Sequence, residues 1–374
     1  MTAAMATRRG ASPSGGGPGV VGRWARSVGC AALLLSGACR PVAAELGVEA
    51  LFSQGLAPVS LGATPPEERG VAACEGCHAG IVAEWRGSRH AAAWTNGIFQ
   101  REFKPRPLDW CVHCHAPLAP AGVASVDTVA AEGVSCAVCH LREGEILAAA
   151  RGDDSPHHTR VMGDYDSERL CAGCHQFNFP VVEANGEVKR YTDHPMQDTV
   201  AEFRAGPYAG LEQACWSCHG KFGHSLPGAH ALGALQHAAT LERCWEDRRQ
   251  LRVTVTNSGA GHKLPSGDLH RHLILRVWRA SEPARLWEAF IGRAFEPAPD
   301  AGKRVRLDTA ILPLESRVWR VAVGELGGGR AEPVSIELRY IYTEDEIPTP
   351  QNDPGEPTSV VVHRVSTEGA ALCP

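Results

Sequence analysis

The chain has 374 residues, with 37 basic and 42 acidic side chains and an apolar fraction of 44%. This is neither a disordered nor a membrane-embedded composition, and the length holds one large or two ordinary domains. No positive excess is present to neutralise phosphates, which argues against a nucleic-acid partner.

Residues 1–44 carry Arg8, Arg9, Arg23, Arg26 and Arg40 and no acid. After Arg26 comes a short apolar run, Val28 to Leu35, then small residues up to Val42-Ala43-Ala44 before Glu45. A basic stretch, a short apolar run and an A-x-A-like site read as a secretory signal. The run is far short of the roughly 20 residues that span a bilayer. The expected location is periplasmic or otherwise extracytoplasmic, with no transmembrane segment beyond the signal. Ser36-Gly37-Ala38-Cys39 resembles a lipoprotein cleavage box, so lipid anchoring stands as an alternative. Without residues 1–44, 32 basic side chains face 42 acidic ones, a net charge of −10 that steers basic partners towards the protein.

The next stretch, 45–249, is organised by one motif. C-x-x-C-H occurs at Cys74–His78, Cys111–His115, Cys136–His140, Cys171–His175 and Cys215–His219, and takes ten of the 14 Cys. The chemistry needs this spacing. Two thiols one turn apart add across the two vinyl groups of a porphyrin, and the next His reaches the iron. Zinc sites, redox dithiols and structural disulfides also use Cys pairs, but none needs a His after the second Cys five times out of five. The expectation is five covalent c-type haems, anchored by Cys74, Cys77, Cys111, Cys114, Cys136, Cys139, Cys171, Cys174, Cys215 and Cys218. Their proximal ligands are His78, His115, His140, His175 and His219. The motifs are 37, 25, 35 and 44 residues apart, too irregular for a solenoid.

The sixth iron ligands come from the remaining His, because beyond the signal only Met162 and Met196 offer a thioether. Mostly bis-His, low-spin haems are expected. His90 lies on Ile81–Trp94, which reads as a helix continuing from the first motif, so it should serve a different haem. Of the adjacent His157 and His158, one is expected to ligate and the other to be a neighbour. His224 and His230 flank a Pro-containing loop after the fifth motif. His194 is balanced between ligand and surface. His113, inside a motif, should point away from that haem. His262, in Asn257-Ser258-Gly259-Ala260-Gly261-His262-Lys263-Leu264-Pro265-Ser266-Gly267, sits where flanking Gly allows close approach to a flat cofactor. It is a ligand supplied from outside the haem region or an exposed His on a hairpin.

From residue 250 the pattern changes to period two. Leu251, Val253 and Val255 alternate with polar residues, as do Val334, Ile336, Leu338, Tyr340 and Tyr342. His272–Arg279, Leu286–Gly292 and Arg317–Val323 are further strand-like runs. Gly327-Gly328-Gly329 reads as a turn and Pro348–Pro357 as an exposed loop. The fold class is thus a mainly α and irregular multihaem domain (45–249) followed by an all-β, sandwich-like domain (250–374). No catalytic constellation is visible there. Cys244 and Cys373 stand outside the motifs, as a bridge between the domains or as two free thiols.

Trp85-x-x-Ser88-x-His90, the leader Glu132-Gly133-Val134-Ser135, the attachment motifs and Gly261–Gly267 together resemble multihaem cytochromes of the c-554/c-552 family over roughly 70–270. The resemblance implies periplasmic electron transfer between redox partner proteins through packed, mostly bis-His haems, and points to His90, His224 and His262 as distal ligands. A carrier rather than a catalyst is the expectation. The alternatives are an oxidoreductase with one open haem acting on a small nitrogen or sulfur compound, and a subunit of an extracellular electron conduit.

Overall fold

The computed structural model describes residues 70–119, 131–142, 144–150, 157–161, 168–211, 214–299, 302–327, 332–343 and 357–374. All of them lie in the compact unit Glu45–Pro374. The signal-like segment, Met162, Gly328, Gly329 and most of the Pro348–Pro357 loop fall outside them.

The first part is built of short helices, four of which end on an attachment His. They are α1 (Val71–Arg86), α2 (Gly97–Phe103), α3 (Asp109–His115), α4 (Cys136–His140), α5 (Glu168–His175), α6 (Thr199–Arg204), α7 (Cys215–His219) and α8 (Leu232–Ala238). Between them run β1 (Leu141–Arg142), β2 (Glu145–Ala148) and β3 (Thr159–Val161) in one small sheet, and the hairpin β4 (Gln176–Val182) and β5 (Val188–Asp198). Apolar packing here is thin. Trp94, Phe103, Val112 and Ala116 form one small cluster, and Ala137 with Leu141 another. Helices this short are not stable alone and depend on what they pack against.

The second part is an antiparallel sandwich. One sheet has the order β10-β9-β8-β12-β13, from β8 (His272–Arg279), β9 (Trp287–Pro297), β10 (Lys303–Asp308), β12 (Val334–Ile341) and β13 (Ser359–Ser366). The other has the order β11-β7-β6, from β6 (Ala239–Trp245), β7 (Gln250–Asn257) and β11 (Ser316–Ala322). Period-two alternation turns Leu251, Val253 and Val255 inward against Leu273, Leu275, Val277, Ile336 and Leu338, all at most 1% exposed. The strand-like runs read from the sequence fall on β7, β8, β9, β11 and β12.

Three readings need correction. Ile81–Trp94 is not one helix: α1 ends at Arg86, Gly87 caps it, and residues 88–95 form turns. The Ser88 hydroxyl accepts from the Ala91 amide at 3.1 Å, a local bond that competes with helix continuation. Strand β6 joins the sandwich ahead of residue 250, with all seven of its residues paired to β7. Cys244 and Cys373 are bridged, with Cα atoms 4.9 Å apart, but Cys244 lies on β6. The bond therefore ties the C-terminal residues to the sandwich and does not join the two parts.

Candidate haem-binding site

The leader Glu132-Gly133-Val134 explains how the first and third motifs are brought together. The Glu132 carboxylate accepts the Val71 amide at 3.1 and 3.2 Å, serving the N-terminus of α1. The Trp85 indole donates to the Val134 carbonyl at 2.9 Å, and the Val134 amide donates to the His90 carbonyl at 2.9 Å. Gly133, at φ +59°, passes so close that a methyl there would meet the His90 and Ala91 carbonyl oxygens at 2.6 and 2.9 Å. Both obstacles are backbone, so Gly133→Ala is expected to cost about 2–3 kcal/mol in chemical denaturation. A cost under about 1 kcal/mol would mean that the leader can shift aside.

Imidazoles from distant segments face one another. The His78 and His157 ring centroids are 6.4 Å apart, those of His90 and His175 6.3 Å, and those of His140 and His224 6.2 Å. A metal–imidazole bond is about 2 Å long, and the ring adds roughly another ångström on each side. Two imidazoles sharing one iron therefore stand about 6 Å apart, so these pairs fit a haem iron between them. Each pairs a motif His with one of the expected distal candidates, and no pair lies within one motif.

In three of the motif imidazoles the ring nitrogen not needed for a metal is occupied. Nδ1 of His115 lies 2.8 Å from the Ala93 carbonyl, that of His140 3.0 Å from Leu147, and that of His219 2.8 Å from Pro227. Such bonds fix ring orientation and leave Nε2 for the metal. Burial pushes the pKa values of His90, His115, His140, His224 and His262 down. His175 falls to about 4, through burial first and then the neighbouring imidazoles of His90, His219, His262 and His115. His175 is nonetheless an exposed residue, so the surrounding protein depresses its pKa without close cover of the whole residue. Rings held neutral keep the lone pair that ligation requires.

The other candidates separate clearly. His158 is mostly exposed and lies 3.6 Å from the Glu145 carboxylate, so of the adjacent pair it is His157 that meets a motif His. His194 sits in β5 with its amide on the Thr192 hydroxyl, and no imidazole faces it among the described residues. His113 lines a cleft with Trp110, Glu187 and Tyr191. His230 stacks on Tyr342 at 4.2 Å.

His262 is presented by a braced loop. The fully buried Asn257 amide donates to the His262 carbonyl at 2.9 Å and to the Ile311 carbonyl at 3.0 Å, and its oxygen accepts the Ala260 amide. Lys263 pairs with Asp308 at 2.6 Å, and Leu264 exchanges backbone hydrogen bonds with Ile311. His262 Nδ1 lies 2.8 Å from the Lys263 carbonyl, and the ring is within electrostatic reach of His219. His115 differs, because Phe99 stacks on its ring at 3.6 Å and 8°.

The attachment sites adjoin. Cys74 meets Cys136, Cys114 meets Cys174, and Cys171 meets Cys215, while Cys139 faces Cys174. Among the described residues no three His, Cys, Asp or Glu side chains converge as a metal-holding group, so the four donors of a zinc site are not brought together there.

Residues 73–141 match the family model "Cytochrome c554 and c-prime". No curated protein matches the sequence. The fold is similar to the crystal structure of a penta-heme cytochrome c552 from Thermochromatium tepidum, with a TM-score of 0.62 and 19% identity over 81% of this chain and 99% of that one. With its repeated attachment motif, this chain is a multihaem c-type cytochrome.

Proposed function

We propose that the chain is a periplasmic electron-transfer protein that holds five covalent haems, most of them between two imidazoles. The facing pairs His78–His157, His90–His175 and His140–His224 carry this reading. His219 with His262 forms a fourth pair in the proposal. Haem supplies a one-electron iron couple when bound. The chain's own residues would do the rest: the thiols would anchor the group, the imidazoles would ligate its iron, and the carbonyl-bound Nδ1 atoms of His115, His140, His219 and His262 hold those rings in place. The contacts between attachment cysteines order the relay. The first site adjoins the third, the third adjoins the fourth, and the fourth adjoins both the second and the fifth. The fourth attachment helix, α5, is the junction. No helix among the described residues is long and apolar enough to cross a membrane. Exchange is proposed to take place with protein partners, favoured by positive charge on their docking faces, because residues 45–374 carry 32 basic and 42 acidic side chains.

The holoprotein should carry five haems by intact mass. His262→Ala should lower the number of six-coordinate low-spin haems by one, read by electron paramagnetic resonance. A mass short of five haems, or an unchanged low-spin count in the variant, would sink the corresponding part.

A second reading has one observation in its favour. At the second motif no ring pair with another imidazole is found for His115 among the described residues; Phe99 stacks on the face of its ring, and the Asp268 carboxylate is the charged group that faces it. An iron held there with one axial position open would make the protein an oxidoreductase for a small nitrogen or sulfur compound. A reduced sample that leaves carbon monoxide unbound and nitrite unreduced would exclude it.

A further inference from the structure

Several buried polar groups gather behind the His262 loop. Glu202, in the middle of α6, is 3% exposed. Neither of its carboxylate oxygens accepts a hydrogen bond of good geometry, and the Ser266 hydroxyl beside it comes nearest. That hydroxyl is already 2.8 Å from the Thr199 hydroxyl. Gln197 Oε1 and Arg293 Nη1 are also buried without a partner, while Arg293 Nη2 donates to the Gly267 carbonyl at 2.8 Å and the Met196 carbonyl at 3.1 Å.

The charged groups facing Glu202 come from three elements: Arg293 on β9, Lys263 in the loop, and Asp198 just ahead of α6. Each has other engagements. Lys263 is paired with Asp308, Arg293 with carbonyls, and Asp198 accepts from Gln176 Nε2 at 3.0 Å. Arg204, on the same helix, is paired with Glu168. A carboxylate this enclosed, with no ion pair among the described residues, is costly to ionise. Burial, with Asp198, raises its pKa, while Ser266, Arg293 and Lys263 pull it back.

Helix α6 lies directly against the loop. A methyl on Gly261 would sit 3.4 Å from the Phe203 ring, and one on Gly206 would sit 3.3 Å from the Gly261 carbonyl. Glu202 and His262 are thus supported by the same contact.

We propose that Glu202 is a proton-binding site coupled to the fifth attachment site, taking up one proton when that site gains an electron and releasing it on oxidation. This rests on His262 closing the iron held by Cys215, Cys218 and His219. The balance is one electron at the iron, one proton from solvent and one new O–H bond on Glu202, so the region's charge is unchanged. The driving force is electrostatic, since an added negative charge in a low-dielectric site penalises a nearby carboxylate. The sign follows. With Glu202 ionised the oxidised state is favoured, so the potential of this site falls as pH rises; with Glu202 protonated that penalty is gone.

The test is a redox titration of the holoprotein across pH, comparing the natural chain, Glu202→Gln and His262→Ala. The component whose potential and spin state move in His262→Ala is the fifth site. In Glu202→Gln its pH dependence should vanish, at a potential at or above the acid limit of the natural chain, with the low-spin count unchanged. A slope retained in Glu202→Gln overturns the proposal. An unchanged low-spin count in His262→Ala removes the ligand reading, and the proposal with it. If Glu202→Gln does not fold, reduced-minus-oxidised infrared spectra of the natural chain decide. A protonated-carboxyl band gained on reduction supports the proposal, and no such band overturns it.

Discussion

Replacing His90 by alanine is expected to turn one low-spin, six-coordinate haem into one that binds carbon monoxide. The His90 ring lies opposite His175 at 6.3 Å, and both rings are held neutral by burial. The substitution should act on the ligand alone. What fixes this segment is the His90 carbonyl, which accepts from Val134, and alanine keeps it. The other imidazoles near His175 are His219, His262 and His115, which the proposal assigns to the fifth and second sites, so a substitute ligand would have to leave another haem. The change should be one haem in the low-spin count by electron paramagnetic resonance, with a new carbon monoxide band in the reduced spectrum. A low-spin count equal to that of the natural chain would show that His90 is not a ligand. Because the fourth site joins the other branches in the proposed relay, exchange between the second and fifth sites should slow in the same variant.

Removing the Cys244–Cys373 bond should cost the sandwich about 3–5 kcal/mol. The two cysteines are 129 residues apart, and a loop of that length loses much conformational freedom when closed in the unfolded chain. The native geometry around the bond is well supported. The Trp245 amide donates to the Ala371 carbonyl, and the Cys373 amide donates to the Trp245 carbonyl, both at 2.9 Å. These bonds also cover the Trp245 end of the free edge of β6, the outer strand of its sheet, which would otherwise offer unpaired backbone groups. Guanidinium unfolding of Cys244→Ser/Cys373→Ser, followed by far-ultraviolet circular dichroism, measures the loss. A value under about 1 kcal/mol would mean that the hydrogen-bonded tail alone holds the edge.

The parts of this molecule legible in the sequence are those whose chemistry is local. Two thiols and a His five residues long specify haem attachment without reference to the fold. Alternation at Leu251–Val255 and Val334–Tyr340 specifies half-buried strands in the same way, because one face of each must meet a core. What could not be read depends on distant partners. Ile81–Trp94 looked helical as one run, whereas the turn at His90 is held by the Val134 amide on the His90 carbonyl and the Ala91 amide on the Ser88 hydroxyl. Strand β6 was missed because Glu242 and Arg243 interrupt its apolar pattern; Arg243 reaches across to the Ser366 carbonyl at 2.8 Å. Neither bond leaves a trace in the local pattern. The choice between His157 and His158 rested on position alone, since two adjacent residues of one type differ only in which neighbour each meets.

The leader at 132–134 has a consequence for how electrons move. Its bonds run from backbone or indole to backbone or carboxylate and tie the third attachment segment to both ends of α1 and to the His90 turn. In the proposed relay, the gap between the first and third sites is therefore set by a short covalent and hydrogen-bonded frame, with little freedom to breathe. Tunnelling decays exponentially with distance, and its activation grows with the rearrangement that each charge change demands. A frame of this kind keeps both the distance and the rearrangement small. The glycine at 133 lets the frame close, so in the proposed relay the speed of that step is tied to a residue outside both attachment motifs.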